Sequence, residues 1–182
     1  EYYLTDTLSI AISEGKNAGA FRSENAQIIR GANDRKDLLE LNDYARRAVI
    51  EKHLINGVGF TCTDGVIIER GVEIGVGTEI LPGTIITGKT KIGKGCTLGP
   101  NTVIDNCEIG DEVTVNSSQL NESAVENDVV IGPYVHVRPG SCIKSGARIG
   151  DFVEIKNSTI GEKTAVSHLV YVGDSDIGKK VN

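Results

Sequence analysis

The strongest constraint in this 182-residue sequence is a six-residue spacing of large aliphatic residues. From Ile68 to Ile104 every sixth position is Ile or Leu, and the series continues in steps of five or six to Ile177. A period of six fits neither an α-helix, with 3.6 residues per turn, nor a lone strand, with two. It is typical of hexapeptide repeats, which stack as the coils of a parallel β-helix.

A second column of residues follows the aliphatic one at a distance of four positions. Its members are Thr78, Thr84, Thr90, Cys96, Thr102, Val135, Ser141, Ala147, Val153 and Thr164. We expect both columns to point inward, so that three hexads form one triangular coil and Ile68 to Asn182 form about six coils. Aromatic residues make up only 4% of the chain, so the core must consist of Ile, Val and Leu. A disordered glycine-rich coil is the alternative, and the regular steps argue against it.

The residues before the repeats divide into two further segments. Residues 1–33 are predicted to be mixed α/β, with a helix around Leu8 that Thr5 or Asp6 caps and that ends before Gly15. The apolar stretches at 18–21 and 26–29 are predicted to be short strands. Residues 34–56 are predicted to be one linker helix that ends at Gly57. Apolar residues recur in it at steps of three and four, which places them in one stripe along the helix. That stripe consists of Leu38, Leu41, Ala45 and Val49. Residues 57–182 form the repeat domain.

Composition excludes several classes of protein. The net charge of −6 and pI near 5.1 argue against non-specific nucleic-acid binding, and no 18-residue apolar run is present to span a membrane. Four cysteines without a CxxC pair make a zinc site improbable and favour reduced thiols in a cytoplasmic protein. The chain does not begin with Met and its last hexad is cut, so we expect a longer chain, called the parent protein below.

Two cations share one column of the predicted β-helix. Arg138 and Lys156 each follow an inward aliphatic and are separated by three full hexads, so they should stack on one face. Two unit charges about 5 Å apart repel by roughly 1–3 kcal/mol at effective dielectric constants between 80 and 20. One interpretation is an anion site, such as a phosphate site. The other is a solvated basic ladder whose repulsion Glu154 and Asp151 relieve.

The three histidines are candidates for a catalytic or metal-binding role. His136, Glu154 and Tyr171 occupy the position just before an aliphatic, and His168 lies shortly before Tyr171. An exposed histidine beside acidic residues can act as a general base, and the alternative is an ordinary surface histidine. His53 lies on the linker helix, too far along the chain to complete a three-histidine metal site. Asn33, just before that helix, is predicted to be its N-cap.

Six motifs in a fixed order carry a family resemblance. They are EYYLTD at 1–6, GANDR at 31–35, IGPY at 131–134, RPG at 138–140, GDFVEIK at 150–156 and SHLVYVGD at 167–174. The ordered set resembles the bacterial bifunctional N-acetylglucosamine-1-phosphate uridylyltransferases / glucosamine-1-phosphate N-acetyltransferases. Members of that family consist of a nucleotidyltransferase domain, a linker helix and a left-handed β-helix that assembles as a homotrimer. The resemblance therefore implies that residues 1–33 are a remnant of the uridylyltransferase domain.

The resemblance also implies roles for residues of the acetyltransferase site. Arg138 and Lys156 match the residues that bind the sugar phosphate, and His168 matches the catalytic base. Tyr171 and Asn182 match residues that bind the sugar. The co-substrate is acetyl-CoA, and its contacts are expected beyond Asn182.

Only one residue of this chain matches a residue of the family's uridylyltransferase site. Asn33 matches a ligand of Mg²⁺ and of the uridine-sugar nucleotide, although the family pattern has Val where this chain has Ala32. The implied function of the parent is acetyl transfer to glucosamine 1-phosphate, then uridylyl transfer from UTP to N-acetylglucosamine 1-phosphate. The product is UDP-N-acetylglucosamine, a precursor of cell wall and lipopolysaccharide.

One expectation about the activity of this chain follows, and one alternative function stays open. The chain should be nearly inactive alone, because the family's donor contacts and phosphate loop match none of its residues. The alternative is a non-catalytic β-helix that serves oligomerisation or regulation of a nucleotide-sugar pyrophosphorylase.

Overall fold

The computed structural model describes residues 3–182, so Glu1 and Tyr2 of the first motif lie outside the described residues. The chain divides into two compact units, Glu1–Leu41 and Asn42–Asn182. No helix in the described range is long and apolar enough to cross a membrane.

The first unit contains helices where α/β structure was predicted. Helix α1 spans Asp6–Ser13 and a 3₁₀ turn spans Ala26–Ile29. The strands predicted at 18–21 and 26–29 are wrong, because a strand needs a partner for its backbone groups and the described residues of this unit hold none. Asn25 instead caps the 3₁₀ turn, its Oδ1 accepting a hydrogen bond from the Gln27 amide at 3.0 Å. Thr5 is the N-cap position of α1, but its side chain makes no capping bond.

Helix α2 spans Arg35–Ile55, close to the predicted linker helix. Its N-cap is Asp34 and not Asn33: the Asp37 amide donates to Asp34 Oδ1 at 2.8 Å. The backbone amide of Asn33 donates to the Asp37 carboxylate at 3.1 Å, so Asp37 fixes the residue that precedes the cap. An aspartate is as good a cap as asparagine, which is why spacing alone misplaced the cap by one residue. Gly57, at φ 82°, ends the helix as predicted.

The buried side of α2 differs from the predicted stripe. Ile50 and His53 are its buried residues, with Val49 packed beside the core, whereas Leu38 is half exposed. Burial lowers the pKa of the His53 imidazole. Its Nε2 has no hydrogen-bond partner among the described residues.

The second unit is a parallel β-helix of short strands. In chain order they are β1 (Gly59–Phe60), β2 (Ile67–Ile68), β3 (Glu73–Ile74), β4 (Glu79–Ile80), β5 (Ile85–Thr87), β6 (Lys91–Ile92), β7 (Thr97–Leu98), β8 (Val103–Asp105), β9 (Glu108–Ile109), β10 (Thr114–Val115), β11 (Gln119–Asn121), β12 (Ala124–Val125), β13 (Val130–Ile131), β14 (His136–Val137), β15 (Cys142–Ile143), β16 (Arg148–Ile149), β17 (Glu154–Lys156), β18 (Thr159–Ile160), β19 (Ala165–Val166), β20 (Tyr171–Gly173) and β21 (Asp176–Ile177). Every third strand joins the same sheet, which gives three parallel sheets of seven strands and about seven turns. The hexapeptide repeat is consistent with the left-handed coil that was predicted.

The register explains the slips in the six-residue period. Ile80 pairs with Leu98, a coil of three full hexads. Leu98 pairs with Val115 and Val115 with Ile131, so these two coils fall one and two positions short of three hexads. Shorter corners absorb the missing residues, so the aliphatic column stays in line. The structure has about seven coils where about six were predicted, because several coils are shorter than three hexads and β1 adds a strand before the period starts at Ile68.

Both predicted inward columns are buried. The aliphatics from Ile80 to Ile160 are at most 5% exposed, and every predicted small residue from Thr78 to Thr164 is buried as well. The small polar members also hydrogen-bond the backbone: Thr78 Oγ1 donates to the Gly93 carbonyl at 2.9 Å and accepts from the Cys96 amide at 3.1 Å. A buried hydroxyl without such bonds would destabilise the core.

The core column generates a matched stability prediction. We expect Ile86→Ala to lower the free energy of unfolding by about 2–5 kcal/mol, because Ile86 is fully buried and its loss leaves a cavity. Ile67→Ala is the control: this residue lies on the adjacent strand of the same sheet, points outward and is 48% exposed. Urea unfolding of both variants measures the difference, and equal losses would contradict the inward assignment.

His53 generates a prediction about pH. A buried imidazole whose pKa is lowered stays neutral in the folded state, while the unfolded chain takes up a proton below about pH 6.5. Protonation therefore favours the unfolded chain, so the free energy of unfolding is highest above that pH and falls as the pH is lowered. We expect the free energy of unfolding to decline less steeply between pH 7 and 5 in His53→Leu than in the unchanged protein. Identical slopes in His53→Leu and in the unchanged protein would contradict the prediction.

Candidate active site

One sheet brings the predicted polar residues together. His136 pairs with Glu154, and Glu154 pairs with Tyr171, across β14, β17 and β20. These three side chains therefore form one outward column, as the spacing predicted. Two positions further along each strand lies a second outward column that holds Arg138 and Lys156, and the Arg138 amide bonds to the Ile155 carbonyl at 2.8 Å.

Each cation of the second column has a carboxylate partner. Arg138 Nη1 lies 2.9 Å from Glu154 Oε1, and Lys156 Nζ lies 3.6 Å from Asp174 Oδ2. The side chains of both cations keep about 40% of their exposure, so they remain accessible to a ligand. The prediction that Glu154 relieves the repulsion agrees with this geometry. Asp151 makes no ion pair with either cation in the described residues, and Asp174 takes the place that was predicted for it.

Asp174 was missed as a partner because the coil is shorter here. It lies three full hexads after Lys156 in the sequence, but Lys156 pairs with Gly173, so Asp174 falls at the corner after β20. Its Oδ1 accepts a hydrogen bond from Asn157 Nδ2 at 2.8 Å. That bond, together with the charge of Lys156, holds the pKa of the Asp174 carboxyl below its ordinary value.

Gly173 is a second residue that the sequence analysis missed. It is the next member of the column after Arg138 and Lys156, and a Cβ at this position would collide with the phenol of Tyr171. The ring of Tyr171 therefore lies over the space that a side chain would fill. The signal was present in the sequence, since glycine interrupts a column of two long cations.

His168 and Asn182 are exposed at the same end of the β-helix. His168 lies in the bend between β19 and β20, three residues before Tyr171, and its imidazole makes no hydrogen bond within the described residues. Asn182 is exposed after β21, and no hydrogen bond or ion pair in the described residues joins it to the other site residues. The structure thus places Arg138, Lys156 and Tyr171 on one face, with His168 at its edge.

A corner beside this face carries large apolar side chains. Tyr134, Phe152 and Leu169 occupy equivalent corner positions in successive coils and are 61%, 57% and 75% exposed. The rings of Tyr134 and Phe152 stack with their centroids 5.2 Å apart. All three residues have φ between 53° and 59°, a conformation that is rare for bulky residues and is found at functional sites. We call these three residues the apolar corner.

Asn33 supplies one exposed amide oxygen in the first unit. The described residues contain no cluster of three or more His, Cys, Asp or Glu side chains that could hold a metal ion. Magnesium takes six oxygen ligands, often waters and substrate phosphates, and few protein groups. Asn33 is compatible with such a minor contribution, and its assignment as a metal ligand stays a prediction.

The sequence matches one family model and the sequences of known bacterial proteins. The family model "Bacterial transferase hexapeptide (six repeats)" matches residues 123–157. The chain is 48% identical over all 182 residues to "Bifunctional protein GlmU" of Acetivibrio thermocellus and 42% identical to that of Lactobacillus johnsonii. In both cases it spans 40% of the relative's length. The resemblance inferred from the six motifs is therefore confirmed.

A solved structure is similar at lower identity. The acetyltransferase domain of PglB from Neisseria gonorrhoeae is 16% identical, with 69% of this chain and 63% of that chain covered and a TM-score of 0.43. At that TM-score the similarity supports no conclusion about function.

Proposed function

Starting from the match of the whole chain to part of the bifunctional GlmU proteins, we propose that it carries the sugar-phosphate side of an acetyltransferase site. The substrates are glucosamine 1-phosphate and acetyl-CoA. The observation that carries the proposal is the stacked pair Arg138 and Lys156, half exposed and one coil apart, beside the column that ends in Tyr171.

The two cations suit a phosphate monoester. Arg138 has five N–H donors and spends one on Glu154, so the remainder of its guanidinium can bind phosphate oxygens. Lys156 adds a second positive charge from the next coil. A phosphate dianion bound between the two cations would attract both of them and so offset their mutual repulsion. The interpretation as a solvated basic ladder provides no such attraction.

The remaining residues are assigned to the sugar and to the proton. Tyr171 and Asn182 orient the sugar, and His168 removes a proton from its ammonium group. The free amine then attacks the thioester carbon of acetyl-CoA, the C–N bond forms, and the C–S bond breaks as CoA leaves as its thiol or thiolate. The imidazole is exposed and makes no hydrogen bond within the described residues, so it can accept that proton.

We propose that Asn33 contributes to a uridylyltransferase site that uses UTP and Mg²⁺, in which the metal offsets phosphate charge. Residues 1–33 are then the edge of that domain, 34–56 the linker helix and 57–182 the acetyltransferase domain. Cytoplasmic localisation follows from the same proposal, since the substrates are cytoplasmic metabolites.

The competing function is a β-helix that only supports oligomerisation or regulation. That role needs no particular outward side chain, so it leaves the joint presence of Arg138, Lys156, His168 and Tyr171 unexplained. The proposal accounts for all four at once.

Assembly as a trimer is part of the proposal. The apolar corner exposes two stacked rings and a leucine in one column beside the candidate site. Contiguous apolar surface of this kind marks an interaction site, and a second copy of the chain is the partner that the proposed family membership supplies.

The central prediction separates turnover from binding. In the parent protein, His168→Ala should lower kcat for acetyl transfer by about 10²–10⁴, the usual effect of losing a general base, and leave uridylyl transfer unchanged. Arg138→Ala should mainly raise KM for glucosamine 1-phosphate, about 10–150-fold, because it removes a charge-assisted contact. Arg148→Ala, an exposed arginine on another sheet, is the matched control and should change neither constant.

Two outcomes would contradict these assignments. Equal losses in both reactions for His168→Ala would indicate misfolding or a wrong base. Unchanged glucosamine 1-phosphate kinetics in Arg138→Ala would remove the phosphate site, and with it the proposed function.

The assembly prediction uses the unusual backbone of the corner. Phe152→Asn should weaken the trimer of the parent protein without lowering the free energy of unfolding of its β-helix, since Asn tolerates positive φ better than Phe. Sedimentation at micromolar concentration measures the assembly, with Val76→Asn as the control at an exposed apolar residue elsewhere. A parent protein that is monomeric under these conditions would contradict the trimer.

A further inference from the structure

The two cations of the candidate site are held toward opposite sides of their column. Arg138 is paired with Glu154, which belongs to the neighbouring column that precedes the inward aliphatics. Lys156 is paired with Asp174, which lies at the corner beyond the other edge of the sheet. The two carboxylates thus draw two stacked cations in different directions along the face.

Asp174 is itself fixed. Its Oδ1 accepts from Asn157 Nδ2 at 2.8 Å, and its backbone amide donates to the Lys156 carbonyl at 3.0 Å. Asn157 and Asp174 have φ of 43° and 48°, and Asn and Asp are the side-chain-bearing residues that adopt this conformation most readily. The carboxylate therefore has a defined place, and its second oxygen faces the ammonium group.

The contact between Asp174 and Lys156 leaves the ammonium donors uncommitted. At 3.6 Å, Nζ and Oδ2 are an ion pair but lie beyond hydrogen-bond distance. Lys156 Nζ makes no hydrogen bond to any other described residue. Asp174 can thus orient the charge through at most one long N–H contact, while the other N–H groups stay available for a phosphate.

We infer that Asp174 is a positioning residue that holds the Lys156 ammonium group ready for the phosphate of the sugar substrate. The inference rests on the proposed function, because it presupposes that Lys156 binds the phosphate. A lysine side chain is long and flexible, so holding it in one place lowers the entropy that binding must remove. A fixed negative charge near a phosphate has the opposite effect, since it repels the dianion. The sign of the change on removing the charge therefore distinguishes the two effects.

The test is a double-mutant cycle in the parent protein, with acetyl-CoA saturating and glucosamine 1-phosphate varied. We expect Asp174→Asn to raise KM about two- to fivefold, the range for an exposed ion pair, with kcat unchanged. In a Lys156→Ala background the same substitution should no longer raise KM and should lower it, because only the repulsion is left to remove. Asp176→Asn is the matched control: it is an exposed acid two residues away, on another sheet, and should have no effect in either background.

A second variant tests the fixation of the carboxylate. Asn157→Gly removes the amide that binds Asp174, and glycine accepts the positive φ at this position. It should raise KM in the same direction while Asp174 and its charge remain. This variant keeps the inference testable if Asp174→Asn fails to fold, which urea unfolding would reveal.

The outcomes separate the inference from the proposed function. If Lys156→Ala leaves KM unchanged, the phosphate site itself is wrong. If Lys156→Ala raises KM but Asp174→Asn leaves it unchanged or lowers it, the phosphate site stands and Asp174 is not a positioning residue. Equal increases for Asp174→Asn with and without Lys156 would also overturn the inference, since a general structural effect does not depend on the lysine.

Discussion

Every coil of the β-helix depends on in-register stacking of inward side chains over the preceding coil. The aliphatic column supplies burial, while hydroxyls at the small positions serve the backbone at the corners. The Thr164 hydroxyl makes two such bonds: it donates to the Gly178 carbonyl at 2.7 Å and accepts from the Val181 amide at 3.1 Å. Because two inward columns satisfy the fold, the outward positions are free to carry chemistry.

The corners show where this freedom is used. Most corner residues with positive φ are Gly, Asn, Asp or charged residues that solvent accommodates. The apolar corner departs from that rule in three successive coils, next to the sheet that carries the paired cations. A strained backbone and exposed apolar surface at the same place both lower the stability of a single chain, so their coincidence beside the candidate site supports association there.

The sequence predicted the columns better than their ends. Period and spacing sufficed to place Arg138 over Lys156, because a solenoid converts sequence distance directly into stacking. Prediction failed where the period stops or slips. β1 at Gly59 precedes the first periodic aliphatic, and the cap at Asp34 depends on a single side-chain hydrogen bond. Asp174 reaches Lys156 only because its coil falls one position short of three full hexads. These features follow from local backbone geometry, which spacing does not record.

The charge balance of the candidate site explains how ion pairs and anion binding can coexist. Arg138, Lys156, Glu154 and Asp174 sum to no net charge, which would be a poor phosphate site if binding required both pairs to break. Neither pair has to break. The guanidinium gives one of five donors to Glu154, and the ammonium gives none to Asp174 at hydrogen-bond distance. The carboxylates thus neutralise the two cations while leaving most of their donors available to a phosphate.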